Sequence, residues 1–181
     1  MRSQWLTKMK LSEIKKVIES IARIEGEDQL EIKQLLTDSR QLGAEPEKTL
    51  FFAIKTEKND GARYIPELKA KGVKAFVTGD ALAALQELAA YVRSQFSGTV
   101  IGITGSNGKT VVKEWLYQLL KDDYTIVRSP KSYNSQIGVP LSVWQLADSN
   151  AQLAIFEAGI SQPGEMEKLE RIIQPTIGVI T

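Results

Sequence analysis

The stretch Thr99-Val100-Ile101-Gly102-Ile103-Thr104-Gly105-Ser106-Asn107-Gly108-Lys109-Thr110 decides the fold of this 181-residue chain. Its first half is β-branched and apolar, as a strand buried on both faces requires, and its second half is a glycine-rich turn closed by Lys-Thr. Directly after it, Val112, Trp115, Leu116, Leu119 and Leu120 recur at helical spacing and predict a helix with that face in the core. A strand, a loop of bare glycines and a helix in that order make a phosphate cradle. Successive backbone N–H groups turn inward around phosphate oxygens, and the helix N-terminus adds the positive end of its dipole. Gly105, Ser106, Asn107, Gly108, Lys109, Thr110 and Val111 are thereby the expected ATP-binding segment, with Lys109 reaching the β- and γ-phosphates and the Thr110 hydroxyl on Mg²⁺. The general pattern G-x-x-x-x-G-K-[ST] has Gly where this chain has Ile103, so a strand–helix turn with an incidental Lys-Thr stands as the alternative.

Downstream, residues 124–128, 152–157 and 176–181 read as further strands. Helices fall between them, one starting near Pro140 and one carrying Met166, Leu169, Ile172 and Ile173 inward. Four strands with helical crossovers predict an α/β unit with a parallel sheet covered on both faces. Leu153-Ala154-Ile155-Phe156 places Glu157 at a strand's C-terminal end, on the same sheet edge as the glycine loop. That position suits a catalytic carboxylate holding Mg²⁺; a solvated strand-end Glu is the alternative. Asn134 and Ser135 fit polar contacts to the γ-phosphate or substrate, a helix N-cap pair, or both. Trp115 and Trp144 lie on apolar helix faces and are expected in the core.

Upstream, a smaller α/β pattern precedes the loop. It comprises a helix behind Ser12, a strand over 29–36 ending in Thr37-Asp38-Ser39-Arg40, the apolar run Leu50-Phe51-Phe52-Ala53-Ile54, a turn at Asn59-Asp60-Gly61, a strand over 73–78 and a helix over 81–96. The junction at 95–98 divides the chain into expected domains 1–96 and 97–181. Lys+Arg number 23 and Asp+Glu 22, balanced in both parts, which lacks the basic excess a nucleic-acid binder needs. There is no Cys and no His, which excludes thiolate and imidazole chemistry and leaves a metal to oxygen ligands. The N-terminus has no signal-peptide core, and no apolar run approaches the roughly 20 residues of a membrane span, so a cytoplasmic location without membrane insertion is expected. The composition sets no oligomeric state.

The loop from Thr104 to Thr110 resembles the ATP loop of the Mur ligases, which lack the first Gly of the general pattern. Val112-Lys113-Glu114, Tyr133-Asn134-Ser135-Gln136-Ile137-Gly138-Val139-Pro140, Glu157-Ala158-Gly159 and Gly164-Glu165-Met166 look like the branch of that family that adds D-alanyl-D-alanine. Asp38-Ser39-Arg40, the 50–54 run and Asp60-Gly61 resemble its UDP-substrate domain, with departures at Ala62-Arg63-Tyr64 and Gln162. The segment from Glu157 to Met166 is also similar to forms fused to an alanine racemase. The resemblance implies an N-terminal domain binding UDP-MurNAc-tripeptide, followed by the first half of an ATP-binding domain. Ser39 and Arg40 would lie at the UDP moiety; on their residues alone they equally make a capped turn with a surface Arg. The implied chemistry is peptidoglycan synthesis, serving cell-wall biogenesis, cell shape and division. The peptide carboxylate attacks ATP to give an acyl phosphate, and the amine of D-Ala-D-Ala then displaces phosphate. A sister Mur ligase, a folylpolyglutamate synthetase or a nucleotide-binding module without ligase chemistry are the other readings. Because the chain stops on the apolar strand 177–181, it is expected to be an N-terminal fragment, inactive by itself.

Overall fold

The computed structural model describes residues 9–57 and 59–181, in two compact units, one running to Leu88 and the other from Ala89 to Thr181. In the first unit β1 (Met9–Lys10) leads straight into α1 (Leu11–Ile18), whose cap is Lys10, two residues ahead of the expected Ser12. The helix starts there because the Lys10 N–H donates to Glu13 Oε2 at 2.9 Å, while Leu11, Ile14 and Ile18 are fully buried along one face. β2 (Ala22–Glu25) follows. The expected strand over 29–36 is two short ones, β3 (Glu31–Ile32) and β4 (Gln34–Leu36), because the Lys33 N–H between them turns away to Lys48 O. β5 (Thr49–Phe52), α2 (Ile65–Ala70) and β6 (Ala75–Gly79) form a strand–helix–strand crossover, and α3 (Ala81–Ser94) closes the pattern.

The sheet order is β2-β6-β5-β4, parallel except for β2, while β1 pairs separately with β3. Leu36, Phe51, Ala53, Leu68, Val73 and Phe76 form the core beside it. Strand β2 carries alternating charges and little apolar signal, so only its pairing with β6 reveals it.

The second unit is built on β7 (Thr99–Thr104), α4 (Lys109–Leu120), β8 (Ile126–Arg128), α5 (Gly138–Trp144), β9 (Leu153–Glu157), α6 (Glu165–Ile173) and β10 (Ile177–Ile180). Its four strands are all parallel in the order β10-β7-β9-β8. Val112, Leu116, Tyr117 and Leu120 of α4 pack on Ile101, Ile103, Leu153 and Ile155. Trp144 is buried as expected, but Trp115 is 63% exposed and Leu119 75% exposed. Helix α4 carries two apolar stripes, and the sheet covers only one. Val111, Trp115 and Leu119, spaced by four, make the uncovered one. Where α6 ends, the buried Arg93 donates to Ile173 O at 2.7 Å, Gln174 O at 2.6 Å and Phe96 O at 3.0 Å, which ties the last turn of α3 to carbonyls that a helix end leaves unpaired.

Candidate functional site

β7 and β9 run side by side with Ile103 opposite Glu157, so the loop after one and the residues after the other emerge together. Glycine is required in that loop. Gly105 has φ +137, and a Cβ there would run into the Thr181 backbone at the end of β10; Gly108 has φ +80 and caps α4. Lys109 folds over the loop, its Nζ donating to Gly105 O at 2.7 Å. The Thr110 hydroxyl donates to Glu157 Oε2 at 3.1 Å.

Glu157 is fully buried, which overturns the solvated strand-end alternative. Its Oε1 lies 2.9 Å from Nζ of the equally buried Lys113, an ion pair whose angle falls outside hydrogen-bond geometry. Its backbone N–H donates to Ser129 Oγ at 3.1 Å.

A cleft of about 740 Å³ opens beside the loop. Gly105, Ser106 and Lys109 line one part of it, and Asn134, Ser135, Gly159 and Ser161 line others. Thr110 is turned to Glu157, the Asn107 carbonyl accepts from Thr181 Oγ1, and Val111 is half exposed on the outer side of α4. The Gly159 N–H donates to Asn134 O at 2.8 Å, and a Cβ on Gly159 would come within 2.9 Å of Asn134 Cγ. Ser135 Oγ accepts from the Gly138 N–H at 3.1 Å at the first residue of α5, although the residue in the N-cap position is Ile137, not the expected Asn134 or Ser135. At the far wall Glu165 accepts from the Ser161 and Gln162 N–H groups, first Ser161, which holds its carboxyl below the usual range.

Ser39 and Arg40 lie in the other unit. Asp38 caps a short 3-10 turn there and takes the Arg40 guanidinium through two edges, Nε to Oδ1 at 2.9 Å and Nη2 to Oδ2 at 2.6 Å. That side-chain bond is the main cause of the Asp38 carboxyl lying below its ordinary value and of the Arg40 pKa lying above its own. The Arg40 side chain is 86% exposed.

For a metal, the adjacent hydroxyl of Thr110 and carboxylate of Glu157 supply hard oxygen donors beside a phosphate loop. Among the described residues no group of three acidic or other metal-ligating side chains could hold an ion by itself. Mg²⁺ fits such a set, since it takes one or two protein oxygens and completes its shell with water and phosphate. Lys113, Ser129 and Gly159 were not singled out for the site from sequence. A signal for Lys113 did exist: with Leu116, Tyr117 and Leu120 it occupies the buried stripe of α4, where a lysine is out of place unless paired.

Residues 31–124 match the Mur ligase family catalytic domain, and residues 103–181 match the Mur ligase middle domain. The UDP-N-acetylmuramoyl-tripeptide–D-alanyl-D-alanine ligase of Borreliella burgdorferi is 35% identical over 156 residues, covering 74% of this chain and 33% of the relative. That of Bacillus subtilis is 32% identical over 170 residues, covering 85% and 36%. The chain thus spans about a third of the length of these curated relatives. A crystal structure of MurF from Acinetobacter baumannii superposes with a TM-score of 0.84 at 28% identity, covering 97% of this chain and 41% of that one. MurF from Thermotoga maritima in complex with ADP superposes with a TM-score of 0.65 at 31% identity, covering 80% and 36%.

Proposed function

The chain belongs to the Mur ligase family, and on that premise we propose that it forms part of an ATP-dependent amide ligase joining D-Ala-D-Ala to UDP-MurNAc-tripeptide in peptidoglycan synthesis. The observation that carries the proposal is the convergence at one sheet edge of the glycine loop, Lys109, the Thr110–Glu157 pair and the polar wall of Asn134 and Ser135. Residues 97–181 hold the nucleotide in this reading, and residues 1–96, through Ser39 and Arg40, hold the uridine nucleotide end of the acceptor.

The loop N–H groups bind the ATP phosphates. Lys109, released from Gly105 O, neutralises charge as the bond to ADP breaks. Thr110 and Glu157 would hold Mg²⁺, which offsets phosphate charge when bound. Asn134 and Ser135 face the cleft where the peptide carboxylate attacks the γ-phosphorus, ADP leaves, and the D-Ala-D-Ala amine then attacks the acyl phosphate as phosphate departs. Among the described residues no helix is long and apolar enough to cross a membrane, and the cytoplasm, where ATP is available, is the proposed location.

Calorimetric titration with ATP and Mg²⁺ tests the nucleotide assignment: Lys109→Ala should weaken binding at least about tenfold, and equal affinity would sink it. Titration with UDP-MurNAc-tripeptide, UDP-MurNAc and a folate tests the substrate. Preference for the tripeptide supports the assignment, whereas preference for either of the others moves the chain to a sister ligase or a folylpolyglutamate synthetase.

A further inference from the structure

Lys113 is fully buried, as is the carboxylate it faces. Two donors of its ammonium go to backbone carbonyls, and a carboxylate stands beside it as counter-ion. Nζ donates to Ser129 O at 2.9 Å and to Lys131 O, and it lies 2.9 Å from Glu157 Oε1. Glu114 Oε1 lies at 3.3 Å and passes the charge on to Arg128 through its other oxygen, 3.1 Å from Nη2. One side chain of α4 therefore joins the C-terminal end of β9 to the segment that leaves β8.

That segment is held in an unfavourable shape. Lys131 has φ +50, a left-handed conformation that side chains other than Gly seldom adopt, and its carbonyl is one of the two that Lys113 binds. Three residues later, at Asn134, the chain enters the cleft wall. Asn134 O receives the Gly159 N–H, and Ser135 Oγ receives the Gly138 N–H. Burying an ammonium is costly unless it is paired and hydrogen-bonded, so a lysine here must hold its carboxylate partner and its two carbonyls in a defined arrangement.

We propose that Lys113 is a positioning residue of the nucleotide site: it sets the Glu157 carboxylate toward Thr110 and fixes the 129–131 turn that delivers Asn134 and Ser135 to the cleft. It acts from behind the loop, through Glu157 and the two carbonyls, and touches neither nucleotide nor substrate. The proposal rests on the assignment of this cleft to nucleotide and deepens it.

Amide hydrogen exchange on the ligand-free chain tests the positioning without requiring that ATP bind. Lys113→Met alone leaves a buried unpaired carboxylate and can fail to fold, so the decisive variant is Lys113→Met/Glu157→Gln, in which both charges are gone. Glu157→Gln alone keeps both carbonyl bonds of Lys113 and is the control. In the double variant the N–H groups of Gly159 and Gly138 should exchange at least about tenfold faster than in the control. Each rate is read as a ratio to those of Thr99 and Thr176, which bond Gln152 O and Val100 O elsewhere in the unit, so that the difference in global stability between the two variants cancels. Unchanged exchange at Gly159 and Gly138 overturns the proposal. So does an equal acceleration at all four positions, which would mean that Lys113 contributes only to global stability. Failure of the parent chain to bind ATP would remove the nucleotide assignment, and leave this exchange result to be read by itself.

Discussion

Removing one member of the Lys113–Glu157 pair should cost far more than removing both. The two groups stand 2.9 Å apart with no exposure on either side. At an effective dielectric of about 20 their gross attraction is about 6 kcal/mol, most of which repays their desolvation. Glu157→Gln leaves the buried ammonium with two carbonyls and, as counter-ion, only the more exposed Glu114 that Arg128 shares, at a cost of about 3 kcal/mol. Lys113→Met leaves a buried carboxylate served only by Thr110 and also strands the carbonyls of Ser129 and Lys131, for a total of about 4–7 kcal/mol. The double variant buries no charge, and only the stranded carbonyls remain to be counted, about 1–3 kcal/mol. Urea titration followed by tryptophan fluorescence suits the measurement, because Trp115 and Trp144 both lie in the Ala89–Thr181 unit and two units need not unfold together. The double variant should be more stable than Lys113→Met, with a coupling of several kcal/mol. If the double loss equals the sum of the two single losses within about 0.5 kcal/mol, the pair is not acting as a buried ion pair and the reasoning fails.

Three further outcomes follow from the packing. The Lys48 ammonium, and after it that of Lys33, holds the Glu45 carboxyl down to about 2 from 4.5. A depressed folded-state value means that its stabilising contribution is present above pH 4.5 and lost as pH falls from there through about 2. An NMR titration of Glu45 with a midpoint near 4.5 would contradict this. Leu119→Gln, on the exposed stripe of α4, should change stability by no more than about 0.5 kcal/mol, whereas Leu169→Ala, fully buried on α6, should cost about 2–5 kcal/mol. Comparable losses in the same urea titration would place the stripe in the core after all. Arg93→Met should cost about 2–4 kcal/mol by stranding the carbonyls of Phe96, Ile173 and Gln174, and an unchanged midpoint would show that the guanidinium merely fills space.

What the amino-acid order by itself determined is local. Gly105 and Gly108 had to form a turn between strand and helix because their positive φ values are open only to glycine without strain, and Lys109 and Thr110 follow at a spacing that helix geometry dictates. Glu157 stands at a strand end because four apolar residues precede it. Asn134 and Ser135 were legible as polar residues ahead of a helix. Tertiary structure alone decided the rest. The order β10-β7-β9-β8 puts Ile103 opposite Glu157 and so brings Thr110 to the carboxylate. The sheet chose which of two apolar stripes on α4 to cover, leaving Trp115 outside and drawing Lys113 in. Strand β2 exists because β6 offers it an edge. Periodicity along a chain reports which residues share a face, but burial and charge pairing depend on what is brought against that face, and that partner comes from residues far away in sequence.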